Sequence, residues 1–490
     1  MKRIILASAS MAALALTSVS TSAQNRSTVT QSGATQGAVI HQEAATNATV
    51  NVTQTGADNA FNILQEGNNN SSSSTQAGFA RAGNSQSTNG QYLTENVAQS
   101  NFGNVIQRGQ NGVSNLSQTN NNSARIEQTQ DSNGSISNVS QNQPDSTDAL
   151  RDGNGNPNGT DRQNLAMVTQ QGNGTVNITQ VGYIAQSAAG NIAMASQAVG
   201  TTGAQSDIVQ NGSGNSADTR QSGDSGYSYV QQGNGIGSGQ NFGNSAIITQ
   251  DGNSDSFVIQ ANGDGSSAFV DQSGGDFNYS SINQSKATGS ALSTVDVDQI
   301  GSDNRSYATQ TGQGAYASVQ QTQTLGTSNG DRSNQSNITQ VAYSTATVDQ
   351  TGDQNDSQIT QSSDASQTQL TGSVARVTQN GVLLSSAVYQ TAGVNNTAIV
   401  GQTGSDNWSQ VSQSGSNSVA NVTQASSSNE SYVDQMGNLQ TAFVNQGGSD
   451  NWSSLSQSGA SNYASVTQQT NGNFSTITQS GTNGSAFVTQ

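Results

Sequence analysis

Residues 457–468 read QSGASNYASVTQ, and the twelve residues that begin at the shared glutamine, 468–479, read QQTNGNFSTITQ. Each stretch opens and closes on glutamine, with a β-branched residue two places before the closing one. The spacing extends back without a slip. Gln402, Gln413, Gln424, Gln435, Gln446, Gln457, Gln468, Gln479 and Gln490 follow one another by eleven. Two places before each later glutamine stands Val411, Val422, Val433, Val444, Leu455, Val466, Ile477 or Val488. A glycine often follows the glutamine by two (Gly404, Gly415, Gly437, Gly459, Gly481) and an asparagine by five (Asn407, Asn429, Asn451, Asn462, Asn473). Alanine often follows by seven, at Ala420, Ala442, Ala464 and Ala486. The unit is Q-x-G-x-x-N-x-A-x-V-x-Q.

Asparagine, alanine, valine and glutamine fall on alternate positions of this unit, and alternate residues of a strand share a face. They form the inner face, and the intervening Ser, Thr, Asn and Tyr point out. Glycine accepts positive φ cheaply and supplies the turn. One such strand cannot bury its face alone, so two facing strands make a rung of about 22 residues, two units long. The fold class that follows is all-β, a two-sheet parallel β-solenoid. Stacked identical amides hydrogen-bond along the axis, which explains a buried glutamine: left unpartnered, such a group costs about 1–3 kcal/mol. The inner Gln and Asn residues named above are therefore expected to form amide ladders. The valine-type residues form the core and the glycines the turns.

The same unit runs less strictly through the rest of the chain. Gln31, Gln42, Gln54, Gln65 and Gln76 keep the spacing to within one residue, and so do Gln250, Gln260 and Gln272, where a short step is followed by a long one. Gln299 and Gln310, like Gln379 and Gln390, are eleven apart. A slip that the next unit makes good points to the double unit as the preserved quantity. Trp408 and Trp452, four units apart in GSDNWS contexts, agree with it, although a recent duplication explains them equally well. At about 4.8 Å per rung, roughly 21 rungs make a rod on the order of 100 Å long.

The chain has 490 residues, 30% hydrophobic and only 9% charged, with no cysteine, one histidine and two prolines. Its net charge of −17 is spread thinly, and lysine occurs only at Lys2 and Lys286. This argues against a nucleic-acid footprint, which needs clustered Lys and Arg, and against binding to an anionic membrane. Residues 1–23 read as a secretory signal peptide, with basic Lys2 and Arg3, an apolar Ile4–Leu16 run and small residues before Ala23. No later segment is apolar enough to cross a membrane. In an exported chain without disulfides, something else must hold the fold.

Repeats occupy 24–130, with irregularity near 79–98, and 164–490, most regularly 379–490. A weaker break falls at 322–337. Residues 131–163 carry both prolines, Pro144 and Pro157, and a cluster of acids; they read as a loop thrown out of the solenoid or a hinge between two arms. Asp152, Asn154, Asn156 and Asn158 alternate there as in a calcium loop, but Pro157 stands where an EF-hand needs Gly and Gln163 where it needs Glu. A solvated turn is the better reading. His41, one residue before a repeat glutamine, points outward and is a surface histidine. No catalytic, metal or cofactor site is expected, and the chain does not read as an enzyme.

The unit resembles the curlin repeat of curli fibre subunits, the extracellular amyloid pili of Gram-negative bacteria. Gln457-Ser-Gly459-Ala-Ser-Asn462-Tyr-Ala464-Ser-Val466-Thr-Gln468 fits it at every defined position, while many middle units lack the Gly or the Asn. The resemblance implies a secreted, cell-surface fibre subunit that serves adhesion and biofilm. It also implies passage through an outer-membrane curli secretion channel and growth from a nucleator subunit. Phe487-Val488-Thr489-Gln490 is a full repeat with no polar cap, which predicts end-to-end polymerisation. The alternative is a long surface solenoid, an adhesin or an ice- or carbohydrate-binding protein, that does not polymerise. The mixed outward residues Tyr463, Ser465, Thr467, Ser485, Phe487 and Thr489 disfavour the ice-binding form.

Overall fold

The computed structural model describes residues 14–19 and 25–490, apart from 78–100, 143–163, 183–190, 234–242, 262–264, 286–291, 324–333, 363–371 and single or paired turn positions. Residues 372–490 are described without a break. Among the described residues there are 37 strands and no helix. The chain divides into two units, Met1–Gln250 and Asp251–Gln490.

Within each unit, successive strands alternate between two parallel sheets. In the first unit one sheet runs from Gly37–Glu43 through Ala60–Glu66 and Phe102–Gln107 to Ser245–Gln250. The other runs from Arg26–Ala34 through Thr49–Ala57 and Ser71–Ala77 to Tyr227–Gln232. The second unit repeats the plan. One of its sheets runs from Ser267–Ser273 to Ser485–Thr489 and the other from Asp255–Ala261 to Phe474–Thr482. Each strand is thus in register with the strand one rung away, glutamine upon glutamine. This is the two-sheet parallel β-solenoid that the period predicts.

Burial alternates along almost every strand. In Tyr463–Gln468 the side chains of Ala464, Val466 and Gln468 are buried and those between them partly exposed. Val377, Val388, Val400, Val411, Val422, Val433, Val444, Leu455, Val466 and Ile477 form two apolar columns, each side chain contributing about 1.5–3 kcal/mol by leaving water. Val488, expected in the same core, is only half-buried, because no further rung covers it among the described residues.

The two sheets differ at one inner position. In one, the residue two before the valine is alanine: Ala398, Ala420, Ala442, Ala464 and Ala486 stack in register. In the other it is serine: Ser386, Ser409, Ser431, Ser453 and Ser475. We refer to them as the alanine sheet and the serine sheet. The first unit shows the same division less strictly: Val50 and Val176 stand at serine positions of its serine sheet, and its alanine sheet has a volume exchange. Phe61 replaces alanine, and its register partner on the next rung is Gly103. A Cβ on Gly103 would overlap the Phe61 ring.

Insertions leave the register intact. Gln76 and Gln118 lie 42 residues apart and Gln141 and Gln180 39 apart, yet each pair is hydrogen-bonded as neighbours. Part of 131–163 belongs to the solenoid, which corrects the expected boundary: Ile136–Asn142 is a strand, paired with Val113–Thr119 on one side and Asn173–Gly182 on the other. Residues 143–163, with both prolines and the calcium-like loop, lie outside the described residues. Of the expected signal peptide, Leu14–Val19 is a strand parallel to Gly37–Glu43, and the remainder lies outside them.

Candidate stacking interface

The inner glutamines are placed by the strand alternation, and each amide finds partners in two directions. Gln446 Nε2 donates to Gln468 Oε1 at 2.9 Å, and Gln468 Nε2 to Gln490 Oε1 at 3.0 Å. Gln402 and Gln424 precede them in the same ladder, at 2.8 Å each. The facing ladder joins Gln413, Gln435, Gln457 and Gln479 at 2.9–3.0 Å. The second amide proton goes across the core to a backbone carbonyl of the other sheet: Gln446 to Glu430 at 3.0 Å and Gln457 to Thr441 at 3.1 Å. Both donors of each NH₂ inside the ladders, short of Gln479 and Gln490 at their ends, are used, as a buried amide requires.

The ladders have a direction. Along the glutamine ladders of both units the amide donates toward the rung of higher residue number, as in Gln54 to Gln76 and Gln107 to Gln128. A rung is therefore an acceptor surface on one side and a donor surface on the other.

The asparagines do not form the amide-to-amide ladder expected of them. Asn407, Asn429 and Asn451 accept, through Oδ1, the backbone N–H of Asn429, Asn451 and Asn473, at 2.9–3.1 Å. The buried Asn451 Nδ2 has no partner, whereas the amides of Asn407 and Asn429 turn back to close the loop before them, to Thr403 O and Ala425 O at 2.8 and 2.7 Å. Asn462 stands in the alanine sheet, outside that column, and does the same with Ser458 O and with Gly484 N. The physical reason is reach. Asparagine is one methylene shorter than glutamine and sits at the turn, where backbone groups without a ladder partner are nearer than the next amide. Elsewhere the shorter amides do meet, as at Asn164 and Asn122 (3.0 Å).

The turn glycines all have positive φ, from +98° at Gly404 to +128° at Gly415. At Gly415, Gly437 and Gly459 a Cβ would overlap the carbonyl oxygen of the glycine one rung on, and at Gly404 that of Ser426. At Gly481 the space is open. A second left-handed position, two residues later, was not read from the sequence. Asp406, Asn417, Ser428, Leu439, Asp450, Ser461 and Asn483 all have φ between 55° and 59°. Most are the short polar types that tolerate this conformation, a signal open to reading in the unit.

On the outer faces, Trp408, Tyr432, Trp452 and Phe474 form a column with ring centroids 4.2–6.0 Å apart, the last pair stacked. Arg108 lies between Glu66 and Glu127, at 3.2 and 3.3 Å. Asp271 and Asp298 are register neighbours on the alanine sheet. Burial, and then the Asp271 charge, raise the carboxyls of Asp296 and Asp298 above the ordinary range. His41 is half-buried on the outer side of its strand, as its position beside Gln42 requires. Among the described residues, no group of three or more His, Asp or Glu is placed to hold a metal ion, and no helix is long and apolar enough to cross a membrane.

Residues 459–490, which contain the last two glutamine steps and members of both ladders, match the family model of the curlin associated repeat. No curated protein matches the chain. The chain thus carries the curlin associated repeat at its most regular end, within a parallel β-solenoid.

Proposed function

We propose that this chain is a structural subunit of an extracellular, curli-like amyloid fibre, in which copies stack rung upon rung for adhesion and biofilm matrix. The observation that carries the reading is the in-register stack itself. Each rung completes the bonding of its glutamines and its backbone through the rung beside it, and neighbouring rungs are near-copies. A rung from a second molecule supplies the same partners. Exposed strand edges of this kind template further strands. A secreted, cell-surface location, a nucleator subunit and an outer-membrane secretion channel follow from the family resemblance and belong to the same proposal. The role is structural rather than enzymatic.

The test is incubation of the purified chain lacking residues 1–23, followed by electron microscopy and fibre diffraction. Reflections near 4.8 and 10 Å are expected. A preparation that stays monomeric for days, without such reflections or an amyloid-dye signal, overturns the reading.

A second reading has one observation in its favour. On the outer face of the serine sheet in the first unit, Thr30, Thr53, Thr75, Ser117, Ser140 and Thr179 stack in register. Beside them runs an amide column, Asn115, Asn138 and Asn177, bonded at 2.8 Å. This uncharged hydroxyl and amide surface suits a neutral, hydroxyl-rich ligand, a glycan or ice. Glycan binding and inhibition of ice recrystallisation by the soluble chain distinguish it from the fibre reading.

A further inference from the structure

The rung Phe474–Gln490 pairs on one side only among the described residues, and so does the strand Arg26–Ala34. Their sequences are matched. STITQSG at 475–481 lies against STVTQSG at 27–33, and SAFVTQ at 485–490 against GAVIHQ at 37–42, with a single offset through both strands and the turn. We infer that these two rungs form the head-to-tail interface between copies of this chain, with Gln479 stacked on Gln31 and Gln490 on Gln42. The inference rests on the fibre reading and adds which rungs meet, in which direction and in which register.

Polarity fixes the direction. Gln479 and Gln490 are the last donors of their ladders among the described residues; each gives one proton across the core, to Tyr463 O and Phe474 O. Gln31 and Gln42 already donate away from this edge, to Gln54 and Gln65, so they meet an incoming rung as acceptors. Donor edge on acceptor edge continues both ladders. Two like edges would set donor against donor or acceptor against acceptor.

Packing fixes the register. At this offset Ile477 meets Val29, Ala486 meets Ala38 and Val488 meets Ile40, so both apolar columns continue. A shift of one residue turns every inner side chain outward, and a shift of two sets isoleucine against glutamine. Phe474, 65% exposed, meets Arg26; the same kind of pair, Tyr279 and Arg305, already stands on adjoining rungs. The strand Leu14–Val19 occupies the edge of Gly37–Glu43 that the incoming Ser485–Gln490 would use. Retained leader residues therefore compete with the next copy for the alanine-sheet edge.

Thr28 and Thr476 are both exposed and would be register partners across the interface. Stacked strands put such pairs about 4.8 Å apart, within disulfide range. The natural chain contains no cysteine to interfere. The double variant Thr28→Cys/Thr476→Cys, assembled and then oxidised or treated with a short thiol-reactive linker, is expected to give covalent dimers and higher multimers. Thr28→Cys or Thr476→Cys alone should give none, and the yield should fall when residues 1–23 are retained. Cross-linking by a single variant would show like edges meeting and overturn the inference. So would equal cross-linking by Thr28→Cys/Ser480→Cys, or fibres without a 28–476 link; each of these leaves self-assembly standing. Absence of fibres in the unsubstituted chain overturns the fibre reading and this interface with it.

Discussion

Serine fills, in one sheet, the place that alanine fills in the other, although both columns face the same core. The alanines need nothing. The serine hydroxyls are buried beside the glutamine ladder of the opposite sheet, and only some are satisfied. Ser114 accepts from Gln107 at 3.1 Å, and Ser137 accepts from Gln128 while donating to Gln170 at 2.6 Å. Ser386, Ser431, Ser453 and Ser475 have buried hydroxyls without a partner. The turns differ too. After serine-sheet strands the glycine recurs as Gly415, Gly437, Gly459 and Gly481, all with positive φ; after alanine-sheet strands the same place holds Gly404, Ser426, Gly448 and Thr470. The two halves of a rung are therefore not interchangeable, and the true repeat is the whole rung.

The turns offer the largest test of that asymmetry. Gly437→Ala puts a Cβ onto the Gly459 carbonyl at φ +115°, and is expected to destabilise by about 3 kcal/mol or more. Ser426→Ala, at the equivalent position after an alanine-sheet strand, already accommodates a Cβ and should cost under about 1 kcal/mol. Urea midpoints of the soluble variants measure the difference. Equal losses would erase the distinction between the two turns.

The ladders come next. Gln446→Leu orphans the Gln424 amide on one side and the Gln468 carbonyl on the other, at about 1–3 kcal/mol for each. Replacing Gln446, Gln468 and Gln490 together leaves only the Gln424 end unpaired, so the triple variant should lose far less than three times the single. Unchanged fibre growth in the triple variant would make the amide ladder incidental and leave the valine column holding the stack.

The inner columns set the two sheets directly against each other. Ser431→Ala removes a buried hydroxyl that has no partner and should stabilise by about 1 kcal/mol, whereas Ala442→Ser introduces one and should destabilise by about 1–3 kcal/mol. Losses of equal sign and size would mean that the serine column has a hydrogen-bonding role like that of Ser137.

The period of eleven carried most of this into view. It located the glutamines, the apolar columns and the turn glycines, because each is chosen by a single strong requirement: a stacked amide, a dry face, a positive φ. The serine–alanine alternation was passed over by averaging the two half-rungs into one unit, although Ala420, Ala442, Ala464 and Ala486 step by twenty-two in the sequence itself. Asparagine misled because its composition resembles glutamine while its reach does not. The strand Ile136–Asn142 was hidden by the prolines and acids that follow it. The second left-handed position is marked only by a mixed set of Asp, Asn, Ser and Leu, a weaker signal than a recurring glycine. The direction of the ladders is a property of assembled amides that no spacing encodes.

Outside the core the outer faces of the two units should respond differently to acid and salt, and weakly. In the alanine sheet Asp296 and Asp298 have raised carboxyl pKa values, from burial first and then from Asp271 on the rung before; Ser318 and Gln320 face them from the rung after. A carboxyl whose folded pKa lies above its unfolded one favours the folded state when protonated. That stability is complete below the ordinary value of 3.8 and is lost as pH rises through the raised value. Acidification through this range should therefore stabilise these rungs, and Asp298→Asn should stabilise at neutral pH and flatten the dependence. In the first unit the outer contact is the opposite kind, Arg108 between Glu66 and Glu127, all partly exposed. Arg108→Ala should cost under about 1 kcal/mol and less again in high salt, while Gln446→Leu should be indifferent to salt. Amide exchange of the two regions against pH and salt separates them. A salt-sensitive glutamine variant would mean that the ladder is reached by solvent.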